Sequence, residues 1–171
     1  FLVDSAFVNV LNTTLYDLRK KDLADFTSSD VTRFELEFSG QTFVCEKDTA
    51  GTWMVVQPTA RKAKSWKMSS ITRAASQLEV VNFVDDDPTS LNQFGLANPQ
   101  VNARFYQNGQ LLLDVSLGDT VGQDVYAKVA DSESVYLVES SVLETWQPEL
   151  DDISETPQEP EAETETTSAD Q

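Results

Sequence analysis

Apolar and polar side chains alternate along residues 31–38 of this chain. A period of two is typical of a strand that has one buried face. Ser39-Gly40 then predicts a tight turn, and strands are expected over 41–47 and 52–56. The pattern predicts a three-stranded antiparallel meander.

A helical period replaces the strand period after Pro58, a residue without the amide hydrogen that strand pairing needs. Large apolar residues recur there at near-helical spacing: Trp66, Met68, Ile71, Ala75, Leu78 and Val81. They predict one main amphipathic helix over 65–82, with Ser65 as its N-cap. A shorter helix is expected from Asp87, as its cap, to a stop at Gly95.

The strand pattern returns after Pro99. Asn108-Gly109 is a strong hairpin signal, and 118–123 is expected to be a polar turn. Four further strands are predicted, over 101–107, 110–117, 124–130 and 135–138. The expected fold is α+β, with antiparallel meanders of about seven strands, the main helix after the third strand and short edge helices.

The start of the chain resembles its later part in an alignment without gaps. Residues 1–5 match 136–140, and apolar positions stay apolar as far as Leu18 and Ile153. Such self-similarity is typical of repeated modules. The expected organisation is the end of a preceding repeat and a connector (1–26), one complete α+β module (27–147) and a disordered acidic tail (148–171).

Composition narrows the classes of function. The chain has 29 acidic and 12 basic residues, and its net charge of −17 disfavours nucleic acid as a partner. It contains no histidine, the commonest general base and transition-metal ligand. The single Cys45 cannot form an internal disulfide. No apolar run approaches the roughly 18 residues of a membrane helix.

A set of short motifs resembles the bacterial domain-of-unknown-function family DUF4340, over about 15–146. The motifs are Asp17-Leu18-Arg19 with Phe26, Asp30-Val31, Trp53 before Pro58, Phe94-Gly95-Leu96 with Pro99, Leu117-Gly118 and Val135-Tyr136-Leu137-Val138. One departure is Arg61-Lys62-Ala63-Lys64, where family members often have an Ala-Asp pair before the helix.

The resemblance implies a location more than an activity. Members of this family look like membrane-tethered proteins with tandem modules, some encoded beside ABC transporters of the gliding-motility type. No catalytic residues are established for them. The resemblance therefore implies protein partners in a membrane complex and a position on the extracytoplasmic side of a bacterial membrane, with the tether outside this sequence.

The main candidate binding site is the only basic concentration in the chain. Arg61, Lys62 and Lys64 lie between Trp53 and Trp66, and Lys67 and Arg73 follow. Basic side chains beside aromatic ones can bind a sugar, a lipid headgroup, a peptide or this protein's own acidic tail. The alternative is that the charges form a solvated face and that both tryptophans pack in the core.

Other chemistry-bearing residues have structural interpretations. Cys45 is expected to be buried on a strand, and 85–87 is better explained by helix capping than by calcium binding. The sequence 118–122 lacks the lysine of a phosphate loop. Neither a metal site nor a cofactor is expected. The carboxylates Glu35, Glu37, Asp114 and Asp119 form no catalytic pair unless they share a cleft.

The sequence therefore predicts a non-enzymatic extracytoplasmic accessory or scaffold domain of a membrane-linked assembly, with an ABC transporter as a candidate partner. An alternative is a binding module for an envelope polymer or lipid. A third hypothesis, a carboxylate-dependent hydrolase, requires two acidic groups that converge in a pocket.

Overall fold

The computed structural model describes residues 19–155 of the chain. In this part, nine strands form one antiparallel sheet, accompanied by three α-helices and a 3₁₀ turn at Asn92–Phe94. The strands are β1 (Arg33–Phe38), β2 (Gln41–Lys47), β3 (Trp53–Gln57), β4 (Arg61–Lys62), β5 (Asn82–Asp85), β6 (Val101–Gln107), β7 (Gln110–Val121), β8 (Asp124–Val129) and β9 (Val135–Glu139). The helices are α1 (Ser65–Ser76), α2 (Ser141–Trp146) and α3 (Leu150–Ile153).

Two four-stranded meanders meet in the middle of the sheet. The spatial order is β4-β3-β2-β1-β6-β7-β8-β9-β5. β1 pairs with β6, with Arg33 opposite Tyr106 and Phe38 opposite Val101. Within each meander, neighbouring strands are consecutive in sequence. The two halves therefore have the same strand order outward from the β1–β6 pair.

The first hairpin of each meander has the same turn. Ser39 and Gly40 have φ of 50° and 72°, and Asn108 and Gly109 have φ of 49° and 85°. Two consecutive residues with positive φ form the turn whose twist matches that of paired strands, and Asn and Gly reach this conformation most easily. Both predicted hairpins are confirmed.

α1 carries the chain from one edge of the sheet to the other, since it follows β4 and leads to β5. Its buried side consists of Met68, Ile71, Thr72 and Ala75. α2 packs beside it, and the Trp146 Nε1–H donates a hydrogen bond to the Ile71 carbonyl oxygen at 3.3 Å. The Trp146 ring also lies 5.4 Å from the Phe105 ring of β6, so α2 covers the same core.

The main core contains aromatic side chains from both meanders. The Phe34 ring lies 5.4 Å from the Trp53 ring and 5.9 Å from the Phe105 ring. A smaller cluster of Phe94, Leu96 and Val135 lies under the loop between β5 and β6, with Tyr126 packed against it. This loop therefore has an apolar anchor of its own.

The outermost strand of each meander is paired with the stretch of chain that follows the other meander in sequence. β5, which follows α1, pairs with β9 at the end of the second meander. Ser154, which follows α2 and α3, forms a bridge with Ala63, directly after β4 at the end of the first. This reciprocal pairing links the two halves at both ends of the sheet.

The antiparallel α+β class is confirmed, but the expected element count is wrong. The described residues contain nine strands instead of about seven, because β4 and β5 are short edge strands without a clear local pattern. α1 consequently follows the fourth strand. Residues 118–121 belong to β7, and the turn comes at Gly122, which has φ of 65°.

The predicted helix bounds also need correction. α1 ends at Ser76, not at residue 82, because the chain then pairs with β9 as β5. Lys64 occupies the N-cap position of α1 and makes no side-chain capping bond, so the Ser65 cap is wrong. The helix expected from Asp87 is a 3₁₀ turn over Asn92–Phe94, and its predicted stop at Gly95, with φ of 68°, is confirmed.

Disorder from residue 148 is wrong for 150–155, which form α3 and the bridge to Ala63. The remaining predicted tail and the repeat match at 1–18 lie outside the described residues. Among residues 19–155, no helix has the length and apolar character needed to cross a bilayer.

Candidate functional site

The predicted basic residues are grouped where β4 meets α1. Arg61 and Lys62 form β4, Lys64 occupies the N-cap position of α1, and Lys67 lies in its first turn. We call these four residues the basic cluster. Their closeness follows from the sequence, since all four fall within 61–67. What they contact depends on the tertiary fold.

The acidic segment 150–155 lies across the basic cluster. Arg61 Nη1 is 3.0 Å from Asp151 Oδ1, Lys62 Nζ is 3.0 Å from Glu155 Oε1, and Lys67 Nζ is 3.9 Å from Asp152 Oδ2. Lys64 Nζ donates to the Asp151 carbonyl oxygen at 2.7 Å. The protein's own acidic sequence, one of the partners considered above, therefore engages every member of the cluster.

Backbone pairing fixes the position of the acidic segment. The Lys64 N–H donates to the Ile153 carbonyl oxygen and the Glu155 N–H donates to the Lys62 carbonyl oxygen, both at 2.8 Å. Ser154, between Ile153 and Glu155, is buried, and its Oγ–H donates to the Leu150 carbonyl oxygen at 2.8 Å. The segment thus extends the sheet beyond β4.

Apolar burial contributes more to this contact than the ion pairs. The Asp151 side chain is 92% exposed, and an exposed ion pair contributes only about 0.2–1 kcal/mol. Ile153 is 0% exposed and belongs to the main core. Full burial of such a side chain contributes roughly 1.5–3 kcal/mol. Ile153 is therefore the anchor of the segment, and the exposed ion pairs add little.

The two candidate tryptophans do not form one platform. Trp53 is 8% exposed and packs in the core, as the structural alternative predicted. Trp66 is 63% exposed, so its expected core packing is wrong. Lys67 Nζ lies 4.9 Å from the centroid of the Trp66 ring. The structure keeps Trp66 beside the basic cluster and removes the Trp53 side chain from the surface.

A groove of about 470 Å³ lies next to Trp66, between α1 on one side and the end of α2 with the segment that follows it on the other. Ser70 and Ile71 of α1 line one side, together with Trp66 and Lys67. Thr145, Gln147, Glu149 and Asp152 are among the residues on the other side. No sequence pattern indicates this groove, because its two walls are distant from each other along the chain.

Cys45 is buried, as predicted. Burial raises the pKa of its thiol to about 12, because the thiolate would lose its hydration in the core. The nucleophilic form is therefore scarce at neutral pH.

Three of the four candidate carboxylates converge, but they do so on an arginine. Arg104 Nη1 lies 3.2 Å from Glu37 Oε1 and 3.6 Å from Glu35 Oε2, and its Nε lies 3.4 Å from Asp114 Oδ2. These residues share one face of the central strands. Asp119 is next to Gly95, in another part of the fold. The guanidinium of Arg104 therefore lies within ion-pair distance of all three carboxylates.

Two of the three carboxylates at 85–87, those of Asp85 and Asp86, have structural partners. Arg19 makes two hydrogen bonds to Asp86, of 2.6 and 3.1 Å, and its guanidinium lies 3.9 Å from the Phe83 ring centroid. The Asp87 N–H donates to Asp85 Oδ1 at 3.1 Å. Within residues 19–155, no group of three or more carboxylates or cysteines is arranged so that it could hold a metal ion.

The model of the family described as "Domain of unknown function (DUF4340)" matches residues 1–84 and again residues 53–157. This chain belongs to the DUF4340 family. The two overlapping matches support tandem modules, as the similarity between 1–18 and 136–153 predicted. No curated protein and no solved structure matches the chain.

Two DUF4340 motifs of this chain meet in space. A Cβ added at Gly118 would lie 2.1 Å from the Phe94 carbonyl oxygen, and one added at Gly95 would lie 2.4 Å from Asp119 Oδ1. The Gln100 N–H donates to the Leu117 carbonyl oxygen at 2.8 Å. These motifs hold the β5–β6 loop against β7.

Sequence reasoning missed the acidic segment as part of the site. Its composition is typical of disorder, yet the repeat pattern contained a signal, since Ile153 matches Leu18 as a retained apolar position. An apolar anchor kept within an acidic run indicates a docked segment. That signal could have moved the module boundary beyond residue 147.

Proposed function

We propose that this DUF4340 chain is a non-enzymatic extracytoplasmic accessory or scaffold domain of a membrane-linked assembly, with an ABC transporter as a candidate partner. The observation that supports this proposal best is the reciprocal pairing of β5 with β9 and of Ser154 with Ala63. This pairing joins the two meanders into one unit at both ends of the sheet. A unit closed in this way can hold the neighbouring repeats of the parent protein in place, as a scaffold must.

The use of charge within the fold agrees with a scaffold. Every member of the basic cluster contacts the acidic segment, and Arg104 lies among three carboxylates. These polar groups stabilise the module itself. The proposed partners are proteins of a membrane complex and not nucleic acid, and the proposed membrane tether lies in the parent protein outside this sequence.

The test is affinity purification of the intact membrane protein after crosslinking in cells, with mass spectrometry of the captured proteins. A matched control carries Ile153→Asp, which places a charge in the core and should release the acidic segment. Transporter subunits are expected with the unaltered protein and in reduced amounts with the control. Recovery of the unaltered protein alone would contradict the scaffold function.

A second candidate function is a binding module for an envelope polymer or lipid. Its support is the exposed Trp66 beside a groove, whereas Arg61, Lys62 and Lys64 already contact the acidic segment. Cosedimentation with anionic phosphatidylglycerol vesicles tests the lipid form. If changing these three residues to Glu leaves cosedimentation unchanged, the basic cluster is not the lipid site.

A further inference from the structure

We propose that the Trp66 groove binds an uncharged polysaccharide by stacking a sugar ring on the indole. This inference rests on the second candidate function, which it narrows to one ligand class. It does not require the scaffold function. The sequence predicted a site at Arg61, Lys62, Lys64, Trp53 and Trp66. The site proposed here keeps only Trp66 of these and lies in the groove between α1 and the end of α2 with the segment after it.

Trp66 differs from the other two tryptophans of the chain in its exposure. Trp146 is 0% exposed and Trp53 is 8% exposed, whereas Trp66 is 63% exposed. Trp66 lies two positions before Met68, and a separation of two places it away from the buried side of α1. A large aromatic surface left in water is a common feature of recognition sites.

Neighbouring groups hold the indole in place. Lys67 Nζ lies 4.9 Å from the Trp66 ring centroid and 3.9 Å from Asp152 Oδ2. Asp152 belongs to the acidic segment, which the buried Ile153 anchors. The platform is therefore partly organised before any ligand arrives, which lowers the entropy lost on binding.

The groove supplies the polar groups that sugar hydroxyls require. Its volume of about 470 Å³ falls within the range of about 300–1,000 Å³ typical of small-ligand sites. Ser70 and Thr145 contribute hydroxyls, Gln147 an amide, and Glu144 and Glu149 carboxylates. Together these groups donate and accept hydrogen bonds, as a polyhydroxyl ligand does.

Charge selects among the possible ligands. Three carboxylates line the groove, those of Glu144, Glu149 and Asp152, against the single ammonium group of Lys67. In a chain of net charge −17 this arrangement repels an anionic polymer or headgroup. Lys67 lies over one face of the indole, but Trp66 is still 63% exposed, so ring surface remains on which a sugar can stack. Among polysaccharides, the groove therefore favours an uncharged one over an anionic one.

Isothermal titration of residues 1–171 with cellohexaose, maltohexaose and chitohexaose tests the proposal. At least one oligosaccharide should bind, and Trp66→Ala should weaken that binding about tenfold or more. Trp66→Phe, which keeps an aromatic ring, should lose less. Leu111→Ala is the matched control, since Leu111 is 47% exposed and lines a different depression.

Fluorescence gives a second readout of the same site. Trp66 is the accessible indole among the three, so acrylamide should quench it selectively and the bound oligosaccharide should protect it. Binding that is equal in Trp66→Ala would overturn the proposal. So would binding of polylysine or polygalacturonate in place of all three oligosaccharides, or no binding at all. The proposed scaffold function does not depend on the Trp66 groove. Trp66→Ala should therefore leave the co-purification of membrane partners intact, which separates a failure of this proposal from a failure of the scaffold proposal.

Discussion

Ile153→Ala tests whether the acidic segment is part of the folded module. Composition predicts that this residue lies in a disordered tail, where its truncation would leave stability unchanged. In the structure, Ile153 is fully buried in the core cluster that contains Met68, Ile71 and Trp146. The two interpretations therefore predict clearly different free energies of unfolding.

The expected loss follows from burial. Removing a fully buried Ile side chain to Ala costs about 2–5 kcal/mol, and Ile→Val costs about 0.5–1.5 kcal/mol. The exposed ion pairs of Arg61 and Lys62 with the acidic segment add at most about 1 kcal/mol each and remain in both variants. Ile153→Ala should therefore lose at least about 2 kcal/mol, and Ile153→Val visibly less.

Urea unfolding followed by tryptophan fluorescence measures the difference. Trp146 is a buried reporter on α2, close in sequence to the acidic segment. Val56→Ala, at a residue that is 45% exposed on β3, is the control and should change stability by less than about 0.5 kcal/mol. An Ile153→Ala midpoint equal to that of this control would refute the docking of the acidic segment.

Three further predictions concern other parts of the fold. Gly118→Ala should destabilise by about 1–3 kcal/mol or more, since its Cβ would meet the Phe94 carbonyl oxygen at 2.1 Å; thermal unfolding compares it with the exposed control Val56→Ala. Cys45, with its pKa raised to about 12 by burial, should react with a thiol reagent only at the rate of unfolding; rapid reaction in buffer would be inconsistent with its position. The hydrogen bond from Arg19 lowers the pKa of Asp86, so the stability it adds should be complete above the pKa of this carboxyl in the unfolded chain and should fall as pH drops below it; Asp86→Asn should reduce the acid sensitivity of the unfolding midpoint.

Local sequence patterns predicted the central strands well. The alternation over 31–38 and the Asn108-Gly109 turn encode β1 and the β6–β7 hairpin through contacts between near neighbours. The predicted burial of Cys45 on a strand is confirmed. The predicted stop at Gly95 is also confirmed, since this residue has a positive φ. In each case the determining interaction lies within a few residues.

Patterns failed where the determining partner is distant. The apolar spacing up to Val81 predicted a helix as far as residue 82, yet the helix ends at Ser76 and residues 82–85 pair as β5 with β9, from which three strands separate them along the chain. The acidic segment has a disordered composition, yet it docks beside β4, in the first half of the described chain. Local propensity is a weak prior where tertiary pairing supplies the free energy.

The candidate site was half predicted, and the error at Trp66 has a geometric cause. Trp66 and Met68 were assigned to one apolar stripe, but residues two apart on a helix do not share a face. Met68, Ile71 and Ala75 form the stripe, which leaves Trp66 outside it. The separation rule was sufficient to predict an exposed tryptophan. The groove beside it was not predictable, because α2 and the segment after it contribute its other wall.

The overlap of the two family matches has a structural explanation. Residues 53–84, which both matches share, contain β3, β4, α1 and most of β5. This stretch completes the first meander and, through β5, extends the second. The acidic segment lies at the end of the second match, and its Ser154 forms a bridge with Ala63, directly after β4 of the first meander. A cut between β5 and β6 would therefore remove one edge pairing from each half.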